Sequence, residues 1–132
     1  MTTTAVNHLP ASHDPATSLA SAVTIFNSIA VSTQIPRKPD GSVELGDIRE
    51  QSRQVLENLQ TALARAGTSL SNVLQLTIYL TDMSERTGFN EVYEEFFPRP
   101  YPSRCAVEVS SLARTGMKVE VTAMAAIPPA GI

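Results

Sequence analysis

Two alternating segments in the last quarter of the chain constrain its fold more than any other feature. Pro102-Ser103-Arg104-Cys105-Ala106-Val107-Glu108-Val109 and Lys118-Val119-Glu120-Val121-Thr122-Ala123-Met124-Ala125-Ala126 both carry the period of two that belongs to strands. Arg114-Thr115-Gly116 between them can supply a turn, so the pair reads as a hairpin. Arg104, Ala106 and Glu108 share one face of the first segment, and Cys105, Val107 and Val109 take the other. Lys118, Glu120 and Thr122 oppose Val119, Val121 and Ala123 in the second. An arginine and a glutamate beside apolar faces that read as core are costly unless solvated or paired. Arg104 and Glu120 are therefore the first candidates for a functional site.

Upstream, the clearest element is a helix over Asp47 to Ala66. Asp47 can cap it, with Glu50 completing a D-x-x-E box. Ile48, Val55, Leu59, Ala62 and Ala66 recur at helical spacing, Leu56 and Leu63 widen the stripe, and Gly67 stops it. A second helix is expected from Asp82, again with D-x-x-E, its stripe being Phe89, Val92, Tyr93 and Phe96. Gly88 weakens it by about 1 kcal/mol relative to alanine, and Pro98 and Pro100 end it. Val23 to Phe26 and Ser28 to Ile35 read as strands around an Asn27-Ser28 turn. Val73 to Leu80 reads as a strand with Leu74, Leu76, Ile78 and Leu80 on one face and Val73, Gln75, Thr77 and Tyr79 on the other. Pro36 to Gly46 is a loop, with Asp40-Gly41 as a turn. Residues 1–18 lack periodicity and are expected to form a loosely ordered arm. The whole is one α+β domain over 1–132.

Composition removes several classes of function. With 132 residues and 42% hydrophobic content, the chain is long enough to bury its own core. No apolar run approaches the ~20 residues that span a bilayer, and with no basic region followed by an apolar one near the N-terminus no signal peptide is expected. A net charge of -3, without a Lys/Arg stripe, argues against contact with nucleic acid. A single cysteine, Cys105, excludes an internal disulfide and fits a reducing, cytoplasmic setting. His8 and His13 lie in the arm with no ligand cluster around them, so no metal site is expected.

Taken together, several motifs resemble the RidA/YjgF family over roughly residues 22–128. They are Ser32-Thr33-Gln34-Ile35-Pro36, Asn58-Leu59, Asn90-x-x-Tyr93-x-x-Phe96-Phe97, Pro102-x-Arg104-x-x-Val107-Glu108-Val109 and Val119-Glu120-Val121. The resemblance implies a mixed sheet with two helices packed on one face, a chorismate-mutase-like arrangement. It implies homotrimers of barrel-like form, with clefts at the subunit interfaces. The activity implied is cofactor-independent hydrolysis of C–N bonds in reactive 2-imino or enamino acids such as 2-aminoacrylate, giving a 2-keto acid and ammonia. Arg104 would then bind the substrate carboxylate in the planar two-pronged manner of a guanidinium. Glu120 would orient or deprotonate water. Ser32, Thr33, Asn90 and the backbone N–H of Ala106 would line the cleft.

The chain also departs from the family pattern. Leu19 stands where many deaminases have tyrosine, Thr33 where the family has glycine, and Ala106 where it has cysteine. These changes point to a narrower or different substrate, for example a larger enamine such as 2-aminomuconate. They are also the features that favour the alternative, a non-catalytic module that binds small carboxylates or 2-keto acids. An RNA- or protein-interacting role is a further family property, which the acidic composition disfavours. The residues themselves leave blander readings open. Arg104 could form an intersubunit ion pair. Glu108 could be its partner. Glu120 could be the structural partner of Arg104, or an exposed strand residue paired with Lys118 or Arg114. Tyr93 reads as core, and Tyr101 could line the cleft or pack at an interface.

Overall fold

The computed structural model describes residues 5–11 and 13–129. Six strands, β1 (Asn7–Pro10), β2 (Ser21–Phe26), β3 (Ile29–Gln34), β4 (Val73–Leu80), β5 (Ser103–Glu108) and β6 (Val119–Ala126), form one sheet. Two helices, α1 (Ile48–Arg65) and α2 (Arg86–Phe96), complete it. The strand order is β1-β2-β3-β6-β4-β5. Every neighbouring pair is antiparallel except β4 and β5, which are parallel. A parallel pair needs a crossover connection, and α2 provides it.

The helices cover one face of the sheet. Beneath them Ala30, Leu76, Ile78, Leu80, Val119, Val121, Ala123 and Ala125 are buried, together with Val55, Leu56, Leu59 and Leu63 of α1 and Phe89 and Val92 of α2. The opposite face carries Val31, Thr33, Gln75, Cys105, Val107 and Met124, all exposed. The α1 ends follow the sequence reading. Asp47 and Glu50 form a complete capping box. At the other end Thr68 N–H donates to Leu63 O at 2.9 Å and Gly67 N–H to Ala64 O at 3.0 Å, with Gly67 at φ +84°. Gln51, buried in α1, ties the helix start to the last loop: its amide donates to Gly46 O and Gly116 O, and its carbonyl accepts from Lys118 N–H.

Several expectations need correction. The last two strands are not a hairpin. β4 lies between them, because β5 leaves α2 parallel to β4 while β6 pairs with the other edge of β4 and with β3. Alternation reveals a strand's faces, not its neighbours. The face of β5 with Cys105 and Val107 is not core but the uncovered side. In β4 the register shifts between Val73 and Gln75, so Val73 is buried and Leu74 exposed, the reverse of strict alternation. Asp82 does not start α2. Its carboxylate accepts from Ser84 N–H, heading a short 3-10 turn (Met83–Glu85), and α2 begins at Arg86. Gly88 has a packing role: a Cβ there would come within 2.6 Å of Ile48 Cγ2. The expected arm contributes an edge strand, β1, paired with β2, and Leu9 packs on the core. Residues 1–4 and 12 of that arm lie outside the described residues.

Candidate functional site

At the free edge of β5, α2 and β5 build a pocket around Arg104. Alternation places Arg104 and Ala106 on the helix-covered face, but β5 is the edge strand, so the cover there is partial. Arg104 Nη2 donates to Asn90 Oδ1 at 2.6 Å. Its guanidinium carbon lies 4.5 Å from the Tyr93 ring centroid and 5.8 Å from that of Phe89, within cation–π range. Phe89, Asn90, Tyr93 and Phe97 reach this place because they follow one another at helical spacing. Tyr93 also stacks on Phe97 and tilts against Tyr101. Asn90, Tyr93, Glu94, Tyr101, Pro102 and Arg104 line a cavity of about 310 Å³. Burial holds the Tyr93 phenol above its ordinary pKa, and the nearby Arg104 charge offsets this in part. Four guanidinium N–H groups remain after the Asn90 bond, and no carboxylate pairs with Arg104 among the described residues. A held, stacked and unpaired guanidinium is suited to a planar carboxylate.

Glu120 lies elsewhere. It sits on the uncovered face of β6, opposite Tyr79 of β4. It is half-buried and makes no hydrogen bond or ion pair among the described residues, and burial raises its pKa above the ordinary 4.5. Lys118 pairs instead with Glu85 at 3.4 Å. Glu108, the other candidate partner for Arg104, accepts the Met83 N–H at 2.7 Å. Thr33 shares the uncovered face, its hydroxyl bonded to that of Thr122 at 2.8 Å. Across the sheet the register lines up Thr33, Thr122, Thr77 and Cys105 in one row. Glu120, Tyr79 and Val107 form the adjacent row.

Ser32 faces the helices and is only 2% exposed. Its hydroxyl donates to Ala22 O at 2.7 Å and accepts from Gln34 Nε2 at 2.9 Å. It shares a register row with Arg104, but Ala123 and Leu76 stand between them, a separation of about 14 Å at three strand spacings. One chain thus brings together Arg104, Asn90 and Ala106, and separately Thr33 and Glu120. It does not bring the two groups together, because they occupy opposite faces of the sheet. Tyr93 and Phe89, read as core, are also the platform under Arg104. Their i, i+4 spacing beside Asn90 is visible in the sequence, but which strand they meet is not. Leu19 is fully exposed in the loop before β2. Among the described residues no three His, Cys, Asp or Glu side chains come close enough to hold a metal ion, and no helix is long and apolar enough to cross a membrane.

Comparison with known proteins agrees with this architecture. A family model described as Endoribonuclease L-PSP matches residues 10–127. A RutC family protein of Pyrococcus abyssi is 42% identical over 105 residues, 79% of this chain and 82% of the relative. A Rid family protein of Yersinia pestis, YyfA, superposes with a TM-score of 0.85 at 32% identity, covering 93% of this chain and all of that one. TdcF of E. coli, solved with bound serine, superposes with a TM-score of 0.81 at 28% identity over 91% of this chain and 98% of that one.

Proposed function

From the premise that this chain belongs to the Endoribonuclease L-PSP family, the group that includes the Rid and YjgF proteins, we propose that it is an imine/enamine deaminase. The observation that carries the reading is Arg104, unpaired, held by Asn90 and stacked on Tyr93 at the mouth of a cavity. That geometry fits the carboxylate of a 2-imino acid. The similar TdcF holds serine, itself a carboxylate.

In this mechanism water adds to the imine carbon and the C=N electron pair moves to nitrogen. Glu120 takes a proton from the water and returns it to the nitrogen. Glu120 then relays a second proton from the adduct's hydroxyl to its amine, and the tetrahedral adduct collapses to a 2-keto acid and ammonia. The raised pKa of Glu120 suits a group that both accepts and returns a proton. Since Arg104 and Glu120 of one chain face opposite ways, a cleft holding both takes Arg104 from one copy and Glu120 from the next. The exposed apolar side chains of the uncovered face, Phe26, Val31, Val107 and Met124, give a second copy a surface to cover. A homotrimer would close three such clefts.

Mixing two inactive variants tests the reading. Arg104→Ala and Glu120→Gln should each fail to shorten the lifetime of 2-imino acids made by an amino-acid oxidase and trapped with semicarbazide. After unfolding and refolding together, the mixture should regain activity, because hybrid clefts contain both native groups. Inactive variants with no rescue would discard the shared cleft. Full activity in Arg104→Ala would discard the carboxylate anchor. A second reading, carboxylate binding without turnover, is favoured by the Thr33–Thr122 bond, which engages a hydroxyl in the expected cleft. It predicts Arg104-dependent binding of pyruvate by a wild-type protein that clears no imine.

A further inference from the structure

A second polar hollow lies toward the opposite side of the sheet. Two overlapping cavities of about 240 and 270 Å³ share His13, Ala22, Gln34 and Arg37. Around them the loop before β2, the ends of β2 and β3, the loop after β3 and the second half of α1 converge. Arg37, Lys38 and Arg65 line the hollow with His13, and no carboxylate lines either cavity. Three basic side chains around one hollow oppose the overall balance, since the chain carries a net charge of -3.

The guanidiniums are positioned but not neutralised. Arg37 Nη1 donates to Gly41 O at 2.6 Å and Arg65 Nη1 to Pro10 O at 3.0 Å. Neither makes an ion pair among the described residues. Each bond uses one of five N–H donors and leaves the others for a ligand. Lys38 has only a loose contact with Glu44, at 3.9 Å. The wall is firm. Asn58 donates to Ile35 O at 3.0 Å and Arg37 O at 2.7 Å, fixing the loop that carries Arg37 and Lys38. Gln34 is held by Ala22 O and Ser32 Oγ. Like charges gathered on a held frame repel until an anion joins them.

We propose that this hollow is a binding site for a small phosphate-bearing anion, separate from the Arg104 pocket. Two guanidiniums and an ammonium match the several oxygens and the charge of a phosphate or diphosphate group. The compact cluster around a half-open hollow suits a small molecule better than a nucleic-acid backbone, which needs a stripe of basic groups.

Calorimetric titration with inorganic pyrophosphate, at ionic strength matched with NaCl, tests this. Wild type and Arg104→Ala should bind alike, and the Lys38→Ala/Arg65→Ala double variant should bind about tenfold or more weakly. Lys38→Glu alone serves as the second variant should the double one not fold, as judged by circular dichroism, and it should weaken binding likewise. Absence of binding by wild type overturns the proposal. So does binding lost in Arg104→Ala but retained in the double variant, which would move the anion to the Arg104 pocket. Citrate binding with the same Lys38 and Arg65 dependence, but none for pyrophosphate, overturns the phosphate assignment. Tighter binding of a short single-stranded RNA than of pyrophosphate overturns the small-molecule assignment.

Discussion

The two faces of the sheet are built from the same strands and differ in almost everything else. On the helix-covered face the buried positions are mostly aliphatic or aromatic, and most polar groups there have partners, Ser32 with Ala22, Gln51 with two carbonyls and an amide, Arg104 with Asn90, while the Ser52 and Tyr93 hydroxyls have none among the described residues. On the uncovered face the threonine row, Glu120 and several exposed apolar side chains lie side by side, with no second layer among the described residues. A covered face can be read as a finished core. An uncovered one mixes apolar area with a half-buried, unpaired carboxylate. The difference teaches that Arg104 and Glu120 of one chain cannot share a cleft, so the proposed deaminase reading needs a second copy to join them.

The strongest way to break this comparison is at its two charged ends. Glu120→Gln is expected to lower imine-clearing kcat by about 10²- to 10⁴-fold, with pyruvate binding retained in calorimetry. Loss of binding together with rate would place Glu120 in recognition rather than proton transfer. The acid limb of the wild-type pH–rate profile should lie above the ordinary carboxylate value of 4.5, because burial raises the Glu120 pKa and the ionised form is the base. Activity therefore falls as pH drops through that raised value. Arg104→Ala should weaken transition-state binding by about 2–5 kcal/mol, read as kcat/KM.

Packing distinguishes the faces next. Leu76→Ala, on the covered face, should cost about 2–5 kcal/mol in denaturant unfolding. Met124→Asp, on the uncovered face, should leave secondary structure intact by circular dichroism yet shift the oligomeric state in sedimentation. An unchanged assembly would mean that this face meets no second copy. Asn90→Ala removes a bond to a charged group, worth about 1.5–3 kcal/mol, and should raise KM more than it lowers kcat. The smallest effect is expected for Ser32→Ala, about 1 kcal/mol of stability with kcat unaltered. A large fall in kcat would bring Ser32 back into the site.

Much of the local structure was legible in the chain. The α1 boundaries followed from the Asp47–Glu50 box and Gly67, the turn at Asn27 from its position between two apolar runs, and the faces of β6 from strict alternation. These are short-range effects, decided by caps, turn conformations and periodicity. The bulge at Val73 broke alternation because one extra residue in a ladder leaves no mark in a run of aliphatic side chains. The short 3-10 turn after Asp82 escaped for a similar reason, since the same cap chemistry starts either kind of helix.

What the sequence by itself determined was the set of elements and the identity of the chemically capable residues: Arg104, Asn90 and Glu120 stand out by charge or amide on otherwise patterned segments. What only the tertiary structure decided was adjacency. Strand order placed β4 between β5 and β6, turned Arg104 toward the aromatic rings of α2 and Glu120 toward the uncovered face, and gathered Arg37, Lys38, Arg65 and His13 from distant segments. The reason is physical. Caps and periodicity act within a few residues, whereas strand pairing is chosen by which long-range arrangement buries the most apolar surface with every backbone group satisfied, a choice that involves the whole chain at once.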